Sequence, residues 1–102
     1  MKTKIGIVGV DAGVLMVGDP CYFFGPEKTT AQEAYPGGWS EICDTVLNDK
    51  FDESEPRAAQ LNYAKGHAGL GVIVGTTHGD GVYPVYLETD DKDRRRLVVE
   101  LE

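Results

Sequence analysis

The apolar runs of this chain are short, and most are rich in β-branched residues and cut off by glycine or by an aspartate-containing turn phrase. Ile5 to Val10 stops at Asp11-Ala12-Gly13, and Val14-Leu15-Met16-Val17 stops at Gly18-Asp19-Pro20. Val72-Ile73-Val74 leads into Thr77-His78-Gly79-Asp80-Gly81. The segment carrying Tyr83, Val85 and Leu87 on one face ends at Asp90-Asp91-Lys92-Asp93, and Leu97, Val99 and Leu101 follow. Thirteen glycines in 102 residues favour tight turns and close backbone approaches over helices. These features predict an α+β fold in a single β-rich domain, residues 1–102, built on a mainly antiparallel, strongly bent sheet. Strands at 4–10 and 14–18 are expected to pair as an N-terminal hairpin, because a three-residue loop ending in glycine is a common hairpin connection. Segments 69–77, 82–89 and 95–101 are expected to form a C-terminal three-stranded meander, with a further short strand at 58–63. Pro84 would then lie in the meander's middle strand, where proline is disfavoured, so a bulge or break at Val82–Pro84 that re-aims Tyr83 is expected.

One packed helix completes the expected fold. Trp39, Ile42, Cys43, Val46 and Leu47 fall at helical spacing. Glu41 and Asp44 suit its first turns. The pattern predicts a helix over 38–49 that lays its Trp39 edge on the sheet. Before it, Thr29 with Gln32, or Thr30 with Glu33, has capping-box spacing for one or two turns, which Pro36-Gly37-Gly38 would end. Residues 50–57 read as a polar loop.

Charge and composition narrow the classes of function. A net charge of −7 argues against sequence-independent binding to a nucleic-acid polymer, which needs many cations to displace counterions. No apolar run approaches a membrane span, and the start makes a poor signal peptide, so a cytoplasmic protein is expected. Leu101-Glu102 reads either as native strand or as a tag junction. Cys21 and Cys43 show no zinc or redox spacing and are expected to be free thiols. The basic cluster Arg94-Arg95-Arg96 is a solvated strand start on its plainer reading, and a small anion clamp on its sharper one.

Several motifs are excluded. Gly6-Ile7-Val8-Gly9-Val10-Asp11 imitates a dinucleotide-binding turn, but Asp11 stands where glycine is needed and no helix follows. The similarity of Gly9 to Gly13 to the phosphate hairpin of actin-like ATPases fails on chain length, and no Walker loop is present. His67 and His78 with Asp19 and Asp80 could ligate a metal, yet no local spacing supports it. A Cys21–His78–Asp80 nucleophile arrangement is conceivable, against the plainer reading of Cys21 as a small hydrophobe.

Two phrases share the form Gly-Asp-x-x-Tyr: Gly18-Asp19-Pro20-Cys21-Tyr22 and Gly79-Asp80-Gly81-Val82-Tyr83, the latter continuing Pro84-Val85-Tyr86. The second is a strong turn signal on its own, in which Gly79 and Gly81 supply positive φ and Asp80 caps its turn. It is also compatible with a turn that presents a site. If the phrases meet, Asp19, Cys21, Tyr22, His78, Asp80, Tyr83 and Tyr86 would line a polar pocket with aromatic walls, suited to a ring-bearing ligand.

At these residues the chain resembles a family of small bacterial and phage proteins of unknown function. Its members pair an early Asp-x-Gly…Gly-Asp-Pro-Cys-Tyr phrase with a late Gly-Asp-Gly-x-Tyr-Pro-Val-Tyr phrase. The resemblance covers the first and last thirds and leaves residues 25–65 uncovered. It implies a compact β-rich fold and transfers no catalytic residue. The phage context implies a role in conflict with a host, through a signal molecule or a host protein.

The expected function is non-enzymatic binding of a small, nucleotide-like molecule, without a cofactor, with His78 or Arg94–Arg96 meeting its negative charge. An acidic protein-binding inhibitor or immunity-like module is the first alternative, which an exposed Phe23-Phe24 would favour. A small hydrolase using Cys21 and His78, or a metal, is the second.

Overall fold

Backbone pairing sorts the strands into two three-stranded antiparallel sheets in the computed structural model, which describes residues 1–63 and 69–101. The chain runs β1 (Lys2–Val10), β2 (Val14–Gly18), a 3₁₀ turn (Pro20–Tyr22), α1 (Thr30–Ala34), α2 (Gly38–Thr45), α3 (Asp49–Glu53), β3 (Ala58–Leu61), β4 (Gly71–Gly75), β5 (Gly81–Thr89) and β6 (Arg95–Val99). One sheet has the order β1-β5-β6 and the other β2-β4-β3. The α+β class and the antiparallel pairing match the expectation. Two compact units emerge, one of Met1–Leu15 with Gly75–Glu102, the other of Met16–Val74.

The expected hairpin is replaced, and of the expected meander only the pairing of β5 with β6 forms. β1 pairs with β5 and not with β2, and β4 pairs with β3 and not with β5. The turn phrases after β1 and β4 therefore carry the chain from one sheet to the other. Each contains a left-handed glycine, Gly13 at φ 71° and Gly79 at φ 71°. Gly81, expected to share that conformation, does not. A hairpin signal fixes a change of chain direction, but the choice of partner strand is made by side chains far away in sequence. Close approach contributes to that choice at β4, where a Cβ on Gly71 would collide with the carbonyl of Val17 in β2.

Within the first unit, Val10 and Tyr83 are buried together with the polar Thr76. The Thr76 N–H donates to Gly13 O (3.1 Å), and the Thr76 hydroxyl donates to Gly79 O while lying 3.2 Å from Gly13 O. Tyr83 Oη–H also donates to Gly79 O (2.7 Å). One threonine thus pins the two crossing turns to each other, and Tyr83 ties β5 back to the second of them.

The expected bulge lies on the opposite strand. β5 runs through Val82, Tyr83 and Pro84 without a register shift, and the irregularity falls in β1 between Lys4 and Gly6. In an antiparallel ladder a residue's N–H and C=O point to the same neighbour. Pro84 O accepts the Glu100 N–H (3.2 Å), so the proline nitrogen faces β6, one pair past the last ladder pair, Val85–Val99. The missing N–H therefore costs no bond to β1, and the strand needs no break.

The second unit holds Phe51, Leu61, Leu70 and Ile73 in its core. The expected capping box forms at Thr29 and Gln32, with both reciprocal bonds present (2.8 and 3.2 Å). The helix expected over 38–49 stops at Thr45, and a new one starts after Asn48, whose side chain accepts the N–H groups of Lys50 and Phe51. Residues 50–53, expected as loop, belong to this second helix, Asp49–Glu53, which buries Phe51. Trp39 does not lie flat on a sheet as expected: it stays 50 % exposed, and Ile42, Cys43, Val46 and Leu47 are half-buried. Its place at the first turn leaves the later residues of the same stripe to make the contacts.

Candidate functional site

Strand alternation brings together a set of side chains that lie far apart in sequence. Directly paired residues of neighbouring strands share a face. On β5, Val82, Pro84, Tyr86 and Glu88 point one way, opposite Gly9, Ile7, Lys4 and Lys2 of β1. Val98 and Arg96 of β6 complete that face beside Tyr86 and Glu88. Tyr83, Val85 and Leu87 occupy the other face. Tyr83 is 4 % exposed, whereas Ile7 and Val82 are 63 % and 64 % exposed. The Tyr86 side is therefore the outer face of this sheet.

The outer face has a charged half. Arg96 Nη2 donates to Glu88 Oε1 (2.6 Å), and Lys2 Nζ donates to Glu100 Oε1 (2.7 Å) while sitting 4.5 Å from the centre of the Tyr86 ring. The turn joining β5 to β6 adds Arg94. Asp90 Oδ1 accepts the N–H groups of Lys92 (2.8 Å) and Arg94 (3.0 Å), and Asp90 Oδ2 accepts Arg94 Nε–H (2.7 Å). The backbone N–H of Arg94, then that of Lys92, holds the Asp90 carboxyl below its ordinary range. Asp93 takes the left-handed conformation (φ 59°) that closes the turn.

Met1, Glu88, Thr89, Asp90, Arg94 and Arg96 line an open hollow of about 520 Å³ beside this turn. Its size falls in the range of small-ligand sites, roughly 300–1,000 Å³. The described bonds use Nε of Arg94 and one terminal nitrogen of Arg96, and each carboxylate fixes its guanidinium by one edge. The remaining N–H groups suit the oxygens of a phosphate or carboxylate.

The predicted site residues fall in two groups. Asp19, Cys21 and Tyr22 belong to the unit Met16–Val74, and His78, Asp80, Tyr83 and Tyr86 to the other. The two Gly-Asp-x-x-Tyr phrases build unlike local structures. In the first, Asp19 Oδ1 caps the 3₁₀ turn by accepting the Cys21 N–H (3.0 Å), and Tyr22 is half-buried. In the second, Gly79 is left-handed, His78 and Asp80 are exposed, and Tyr83 is a buried strand residue whose hydroxyl is engaged. Cys21 is exposed and unbridged, and its hydrogen bond with Asp19 pushes its thiol up, the reverse of what activates a nucleophile. His67 lies outside the described residues. Among the described residues no three His, Cys, Asp or Glu side chains group for a metal ion, and no helix is long and apolar enough to cross a membrane.

Sequence reasoning named Tyr86 and the arginine cluster but treated them as distant. It passed over Lys2, Lys4, Glu88 and Thr89. Period-two alternation, through Tyr86 and Glu88 on β5 and Arg96 and Val98 on β6, is the signal that puts these four on one face.

Fold and site define a small α+β protein with two antiparallel sheets, one of which carries an arginine-lined hollow. The chain belongs to a family of proteins of unknown function, DUF4241, which it matches over residues 4–99. The match includes the middle segment, 25–65, that the two sequence phrases leave uncovered. No curated protein and no solved structure matches it.

Proposed function

We propose that this protein is a non-enzymatic binder of a small anionic, nucleotide-like molecule, held on the outer face of the β1-β5-β6 sheet. The observation that carries this reading is the hollow between Arg94 and Arg96, with the Tyr86 ring on the same sheet face. The guanidinium forks receive phosphate oxygens, and Tyr86 offers an aromatic surface for a base. Of the aromatics expected to wall a ligand, Tyr86 serves here, while Tyr83 belongs to the fold. A ligand of the kind exchanged between phage and host fits the same chemistry. The test is isothermal titration with AMP, GMP and their cyclic dinucleotides, on the wild type and on Arg96→Ala and Tyr86→Ala. Binding that weakens at least tenfold in Arg96→Ala, and less in Tyr86→Ala, supports the reading. No heat with any of these nucleotides, or heat unchanged in Arg96→Ala, rejects it.

A second reading, a protein-binding module, is favoured by Phe24, which is 78 % exposed, while its neighbour Phe23 packs against Gly18. An isolated exposed aromatic of this size suits a binding anchor. A Phe24→Ala variant that keeps nucleotide binding but loses a protein partner separates the two readings.

A further inference from the structure

β1 is an open sheet edge with features that suit a second copy of itself. It is nine residues long and, among the described residues, pairs on one side only, with β5. The other three edge strands have four or five residues, and β6 opens with two arginines, a common guard against pairing. From Ile5 to Val10 β1 carries no charge. Ile5 and Ile7 are 57 % and 63 % exposed, and nothing among the described residues lies within 4 Å of where a Cβ would stand on Gly6 or Gly9. Since Pro84 turns its polar groups toward β6, its partner Ile7 makes no bond across that pair. Alternation then directs the backbone N–H and C=O of Ile7 and Gly9 away from β5.

We propose that two copies of this chain associate through antiparallel pairing of their β1 edges, centred on Ile7, to make one six-stranded sheet. The charges select both partner and direction. Lys2 and Lys4 stand at one end of the strand, and Asp11 follows the other. Antiparallel pairing carries Asp11 of one copy alongside the Lys2–Lys4 end of its mate, twice, by symmetry. Parallel pairing would set lysine against lysine. In this register Ile7 faces Ile7 and Gly6 faces Val8 on either side, so the central contact is apolar and self-complementary, as a two-fold interface requires.

Sedimentation velocity over a wide concentration range tests the proposal on the full chain. The wild type is expected to show a monomer–dimer equilibrium. Ile7→Lys, which puts like charges at the axis, is expected to sediment as a monomer with an unchanged far-UV spectrum. Asp11→Lys, which lies outside the ladder, is expected to weaken the dimer by about tenfold or more and guards against a folding defect in the first variant. Carbodiimide coupling of mixed ¹⁴N and ¹⁵N chains is expected to join Asp11 to Lys2 or Lys4 of the other copy. A wild type that stays monomeric at every soluble concentration overturns the proposal. So does a dimer that survives both substitutions, or one whose cross-links leave Asp11 out. These outcomes are independent of nucleotide binding.

Discussion

At the scale of single residues, Gly79 O shows how much depends on two hydroxyls. It accepts from both Thr76 and Tyr83, while Gly13 O keeps the Thr76 N–H whatever happens to the side chain. Thr76→Val or Tyr83→Phe alone is therefore expected to cost about 1 kcal/mol in urea unfolding, the net worth of one hydrogen bond. The double variant leaves that carbonyl without a side-chain donor and is expected to cost more than the two combined. Cys21 offers a second check. With Asp19 holding its proton, alkylation by iodoacetamide at neutral pH is expected to be slower than for an unperturbed thiol, and its pH profile to lie higher. Asp19→Asn is expected to return both to normal; equal rates in the two proteins would contradict the assignment. Residues with local roles were legible in the sequence: the Thr29–Gln32 box and the left-handed Gly79 follow from spacing and residue type alone. Tyr83 was not, because a tyrosine beside a turn reads equally as a ligand wall or as a buried prop until its strand partners are known.

Elements tell a similar story one level up. The hydrophobic stripe beginning at Trp39 gave a correct helix but hid its end, because Asn48 restarts the helix with an N-cap and redirects burial to Phe51. Asn48→Ala is expected to lose about 1 kcal/mol of stability in thermal or urea melts. The turn between β5 and β6 is tied by a carboxylate whose titration is depressed, so the sign of its pH dependence follows. Its contribution is complete above the ordinary aspartate value of 3.8 and disappears as pH falls through the lower, folded value. Carboxyl chemical shifts are expected to place the Asp90 midpoint below that value, and Asp90→Asn to remove this part of the acid dependence. Strand identities were also readable from alternating runs. Their pairing was not, since Asp11-Ala12-Gly13 and Thr77 to Gly81 make equally good hairpins or crossings, and only contacts between distant segments decide.

For the whole molecule, each unit keeps its own buried residues: Val10 and Tyr83 in one, Phe51, Leu61, Leu70 and Ile73 in the other. Phe51→Ala is expected to cost about 3–5 kcal/mol where it packs. By native-state hydrogen exchange it is expected to lower protection at Leu61, Leu70 and Ile73 more than at Val10 and Tyr83. Uniform loss would mean that both cores open as one. The candidate site was legible as residue types, an aromatic with a run of arginines, but not as a place, because the β5–β6 register is what puts Arg96 diagonally beside Tyr86.

The knot at Thr76 reaches beyond stability. The segment from Met16 to Val74 leaves the first unit just after Gly13 and rejoins it just before Thr76, and those two residues are hydrogen-bonded to each other. Whatever is threaded there departs and returns at a single gate. Such a layout is receptive to grafting: a different insert with closely spaced ends could take this one's place while the host sheet, arginines included, stays as it is.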